Sequence, residues 1–144
     1  MARYPEIIAD AATAVQLVAL AAKVRTFPVK NSRCIIVKAY WKGWLAAFPQ
    51  HGPGRKHERK IALVGWQQGI VEEHTEWFLR GLIHSDGCRT MNRFKTQLPI
   101  GRVAEYAYPR YFFSNLSPDI RGLFCDACDR LGVRRTLSNP RAEV

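Results

Sequence analysis

Three sets of residues have the types and spacing to do chemistry. The first is Asp86-Gly87, which closes an apolar run containing Trp77, Phe78, Leu79, Leu82 and Ile83 at helical spacing. A helix C-terminus carries partial negative charge, so a carboxylate there is unfavourable unless a cation neutralises it. A hard divalent ion such as Mg²⁺, which takes oxygen ligands, would do so. The second set is Cys125-Asp-Ala-Cys128, two thiols at i, i+3 on a helical stretch. A zinc site would need Cys88 or one of His51, His57, His74 and His84 beside them. With no second C-x-x-C, zinc is not expected and the pair reads as buried free thiols. The third set is basic. Residues 23–42 hold Lys23, Arg25, Lys30, Arg33, Lys38 and Lys42 and no acid, whereas Glu72, Glu73 and Glu76 make residues 61–79 acidic. Much of this basic charge falls in strand-like segments, which suggests a charged sheet face for a polyanion. Lys30, Arg33 and Lys38 are candidates for such contacts.

The elements that must position these groups follow from periodicity. Residues 5–22 predict a helix with Pro5 in its first turn. Val24–Lys30 and Arg33–Trp41 predict strands around a turn at Asn31-Ser32, and residues 41–48 a short helix ended by Pro49. Pro49 to Lys60 is rich in Pro, Gly and basic side chains and reads as an exposed loop. Trp66–Glu73 predicts a helix. Thr75 is the expected N-cap of the next one, and Gly87 its left-handed stop. Cys88–Leu98 and Arg102–Asn115 alternate like strands around a turn at Pro99-Ile-Gly101. Arg89, Arg93, Lys95 and Gln97 form one row; Arg102, Tyr106, Tyr108 and Arg110 form another. Ser117-Pro118-Asp119 starts a helix that Gly132 ends, and Val133–Ser138 predicts a last strand. Trp41, Trp44, Trp66 and Trp77 are expected in the core.

The segment Leu79-Arg-Gly-Leu-Ile-His-Ser-Asp-Gly87 resembles the LAGLIDADG motif of homing endonucleases. Leu79, Gly81, Leu82, Ile83, Asp86 and Gly87 match it; Arg80, His84 and Ser85 depart from it. Two alternating strands and a helix follow, as in the family. The resemblance implies an α+β fold with an antiparallel β saddle over the DNA major groove. It implies that Leu79, Gly81, Leu82 and Ile83 form the helix-packing motif. Gly81 and Ser85, small and one turn apart, would let a second such helix approach closely. It further implies Asp86 as the catalytic, metal-ligating carboxylate, with Ser85 and Gly87 at the same site, and Mg²⁺ as the ion. The two rows of the alternating strands would contact DNA. His84 replaces the motif's first acidic residue.

The family's half-domain runs α-β-β-α-β-β-α, whereas residues 75–138 cover only α-β-β-α-β. Residues 1–60 resemble the remnant of a preceding half-domain plus the basic loop, and 61–144 a truncated LAGLIDADG-like half-domain. The expected partners are double-stranded DNA and a second copy or a complementary fragment carrying a second motif. The expected function is metal-dependent, site-specific DNA cleavage; the alternative is a non-catalytic DNA-binding transcriptional regulator on the same fold.

Composition bounds these readings. The chain has 144 residues, a net charge of +10 and 47% apolar residues, enough for a core. No run of about 18 apolar residues is present, so a membrane partner is not expected. Glu6 and Asp10 interrupt the N-terminal apolar stretch, which argues against a signal peptide. Four cysteines are too few for a disulfide scaffold, so a cytoplasmic setting is expected, at the nucleoid if the cell is bacterial.

Overall fold

A computed structural model describes residues 4–32, 34–99 and 101–138. It is α+β, with five α-helices and two two-stranded antiparallel sheets among the described residues. The chain divides into two compact units, Met1–His51 and Gly52–Val144. The division falls inside the Pro/Gly segment, earlier than residue 60.

In the first unit, α1 (Pro5–Val18) begins with proline in its first turn, where the missing N–H costs nothing. It ends a turn before residue 22. The Gln16 amide donates to the carbonyls of Leu20 and Ala22 at 3.3 and 3.0 Å and folds the chain back, burying Ala19 and Ala22. Strands β1 (Arg25–Pro28) and β2 (Ile35–Lys38) pair with Arg25 opposite Lys38, and Asn31 takes the positive φ of 58° that the connecting turn needs. The short α2 (Trp44–Ala47) follows. Trp41 and Trp44 pack edge to face at 5.2 Å.

The second unit carries the motif. Its first residues form a single 3₁₀ turn at Lys56–Glu58, inside the segment expected to be an open loop. Helices α3 (Gly65–Glu73) and α4 (Thr75–Asp86) meet at His74. Thr75 does not cap α4. It is buried, and its hydroxyl donates back to the Val71 carbonyl at 2.7 Å, joining the two helices. Strand β3 (Gly87–Gln97) starts directly at the end of α4 and pairs with β4 (Val103–Phe113) over eleven residues, Gly87 opposite Phe113 and Gln97 opposite Val103. At about 3.3 Å per residue this ribbon is roughly 35 Å long. Helix α5 (Pro118–Arg130) is capped by Ser117, whose hydroxyl accepts from the Ile120 N–H. It docks through Phe124, stacked on Phe113 at 4.2 Å.

Two expectations fail here. Residues 133–138 form no strand; the chain turns at Gly132 (φ 65°) and the Val133 N–H bonds back to the Cys128 carbonyl at 2.8 Å. The core is also thinner than the composition suggests. The buried apolar residues among those described are Ala19, Ala22, Ala127 and Cys128, whereas Trp66 and Trp77 are 54% and 66% exposed. Two-stranded sheets offer too little area to cover aromatic side chains, so these tryptophans are not core.

Candidate nucleic-acid interface and carboxylate site

The register of β3 and β4 decides which side chains share a face, because residues directly opposite each other in an antiparallel pair point the same way. One face carries Thr90, Asn92, Phe94 and Thr96 with Ala104, Tyr106, Tyr108 and Arg110. The other carries Arg89, Met91, Arg93, Lys95 and Gln97 with Val103, Glu105, Ala107, Pro109 and Tyr111. The two rows expected to contact DNA therefore lie on opposite faces of the ribbon. Arg102 belongs to neither strand; its carbonyl accepts from the Leu98 N–H at 2.8 Å in the turn.

The faces differ in access. Phe113 lies on the Arg89 face, so its stack with Phe124 places α5 on that side at the ribbon's root. The Tyr108 face is the opposite one. Its middle is organised by aromatic contacts: Phe94 stacks on Tyr106 at 5.2 Å and meets Tyr108 edge-on at 6.0 Å. Asn92 Nδ2 donates to the Tyr108 hydroxyl at 2.9 Å. Arg110 lies over Phe112 at 5.3 Å. On the opposite face Lys95 is paired with Glu105 at 2.5 Å, which leaves Arg89 and Arg93 as its exposed cations outside that pair. In the first unit, Lys30 sits in the hairpin turn, Lys38 lies over Tyr40 at 4.7 Å, and Arg33 lies outside the described residues.

Asp86 stands at the ribbon's root, the last residue of α4. Asn115 Nδ2 donates to its Oδ2 at 2.7 Å, and Lys56 Nζ lies 3.9 Å from the same oxygen. The sequence reading names neither neighbour as a site residue, and no local pattern marks either. The Asp86 carbonyl accepts from the Ser114 N–H at 3.4 Å, which extends the ladder past the strand end. Gly87 is not a left-handed stop: its φ is −98° and ψ 166°, extended backbone. Glycine is required for another reason. A Cβ at this position would run into the Ile83 carbonyl oxygen and lie 2.8 Å from the Ile83 Cα. Ser85 turns its hydroxyl inward, donating to the Leu82 carbonyl at 3.0 Å.

The motif splits across two sides of α4. Leu79, Leu82 and Ile83 are half-buried within the unit, while Trp77, Arg80, Gly81, His84 and Ser85 are exposed. A Cβ placed on Gly81 would meet nothing within 4 Å. Asp86 suits a hard cation as one oxygen ligand. No group of three His, Cys, Asp or Glu side chains that could hold an ion exists among the described residues.

Cys128 is buried and desolvation pushes its thiol up from the usual range, which suits an inert packed thiol. Arg135 folds back over α5 and chelates Asp129, holding that carboxyl below its ordinary range.

Comparison with protein-family models, with curated proteins and with solved structures gives no match for this chain. The family resemblance rests on the motif residues themselves.

Proposed function

We propose that this chain binds double-stranded DNA with the β3–β4 ribbon in the major groove. The observation that carries this reading is an eleven-pair ribbon with arginines on both faces, Arg89 and Arg93 on one and Arg110 on the other, on a chain of net charge +10. The major groove admits a two-stranded ribbon, and about 35 Å matches one turn of duplex. Thr90, Asn92, Tyr108 and Arg110 face the base edges. Arg89 and Arg93, on long side chains behind β3, reach past its free edge to the phosphates.

We extend the proposal to metal-dependent phosphodiester hydrolysis of the LAGLIDADG type. Asp86 would hold Mg²⁺ jointly with the Asp86 of a second copy or the equivalent acid of a complementary chain, with Ser85 and Gly87 supplying backbone at the same helix end. When bound, such an ion activates water and stabilises the leaving oxygen. The exposed side of α4, open above Gly81, is the surface on which the second helix packs, and the narrow Ser85 side chain keeps that approach close. The chain works in the cytoplasm, or at the nucleoid in a bacterium. Among the described residues no helix is long and apolar enough to cross a membrane.

A second reading, a DNA-binding regulator without cleavage, is favoured by the single carboxylate and by the Lys56 ammonium already beside it. Both are tested on plasmid DNA with and without Mg²⁺. Hydrolysis requires that nicking depend on Mg²⁺ and vanish in Asp86→Asn, while duplex affinity persists. Salt-sensitive binding with no nicking selects the regulator. Affinity indifferent to salt overturns the DNA reading itself.

A further inference from the structure

The β1–β2 hairpin of the first unit sets two cations against each other. Arg25 stands directly opposite Lys38, so both side chains leave the same face, about 5 Å apart at Cβ. Like charges so placed oppose strand pairing. Neither meets a carboxylate among the described residues, and residues 23–42 hold no acid at all. The same face carries Phe27 opposite Ile36, both exposed. Tyr40 follows Lys38 by two residues and is 78% exposed, with the Lys38 ammonium 4.7 Å from its ring centroid. The other face turns to α1. Thr26 lines a shallow cleft with Ala12, Gln16 and Leu17, and Ile35 and Val37 are half-buried. Sequences break a local pairing rule where function requires it. An anionic backbone laid across Arg25 and Lys38 relieves the repulsion. The rings beside them add stacking surface, which a partner offering charge alone would not use.

We infer that the exposed β1–β2 face binds single-stranded nucleic acid: Arg25 and Lys38 take phosphates, and Phe27 and Tyr40 stack the bases between them. Cations that track a backbone, interleaved with exposed aromatic faces, are how proteins hold unpaired strands. A duplex keeps its base faces stacked inside and presents none of them to Tyr40. The site stands apart from the β3–β4 reading, since the face belongs to the first unit.

The test uses fluorescence anisotropy of the full chain with oligothymidylate of about 12 nucleotides and with an abasic strand of the same length. Wild type should prefer the base-bearing strand. Tyr40→Ala should cost that strand about 5- to 100-fold and the abasic strand nothing. Tyr40→Leu, which keeps apolar bulk without an aromatic face, should lose as much, and Tyr40→Trp should bind like wild type. The double variant Arg25→Ser/Lys38→Ser should lower the salt slope by about 1.4, roughly 0.7 for each phosphate contact on a single strand. It should melt no lower than wild type, because a repulsive pair is gone. Equal binding of the two strands overturns the proposal and leaves a patch that reads charge alone. So does a Tyr40→Ala protein with wild-type affinity, or an unchanged salt slope in the double variant. A lowered melt in that variant removes the repulsion on which the inference is built. A chain that binds oligothymidylate through Tyr40 but no duplex loses the ribbon reading and keeps this one.

Discussion

At the residue scale, the junction between Asp86 and Gly87 leaves no room for a side chain. Helix α4 passes into β3 with no intervening loop, so the first strand residue lies against the last helical turn. That contact, rather than a left-handed backbone, is why glycine stands there. Gly87→Ala should destabilise the unit by about 1–3 kcal/mol through overpacking against Ile83. Urea unfolding measures it, and a neutral result would mean the junction relaxes freely. The same junction shows what one-dimensional reading can reach. Asp86-Gly87 is visible as a helix end because its residue types are diagnostic. Asn115 and Lys56, which hold the carboxylate, lie 29 residues after it and 30 before it, with no periodicity linking them.

At the scale of elements, the ribbon's two faces should behave differently in DNA binding. On the proposed reading Arg89 and Arg93 would act through charge alone, so Arg93→Ala should weaken binding to all duplexes alike and lower the salt slope by about one. Asn92→Ala and Tyr108→Phe, on the opposite face, should instead flatten discrimination between duplex sequences with little change in salt slope. Fluorescence anisotropy on a duplex library at several salt concentrations reads both. The reverse pattern would place the Arg93 face against the bases. Each row was legible in the sequence from its alternation. That the rows oppose one another was also implicit: a turn over Pro99-Ile-Gly101 pairs Leu98 with Arg102, which sets even-numbered residues of one strand against even-numbered residues of the other. The strand expected at 133–138 failed for a different reason. The chain there satisfies itself locally instead, through Val133 and Arg135 against α5.

At the scale of the whole molecule, surface area bears on the partner. The chain exposes 12,085 Å². Trp66, Ile70 and Trp77 on α3 and α4 are each more than half exposed. Large exposed apolar side chains suit an association surface. On α4 it adjoins Gly81, where no atom stands within 4 Å of a side chain's first carbon. On the proposed reading a helix of a second copy would pack there and bring the two Asp86 helix ends near one another. The chain should run at dimer mass in light scattering at micromolar concentration. Gly81→Leu, harmless within one chain because the space is open, should shift it to monomer mass without lowering its own secondary structure by circular dichroism. Monomeric wild type, or a Gly81→Leu protein that still dimerises, would remove α4 as the contact, and the single carboxylate of each chain would then have no second to meet.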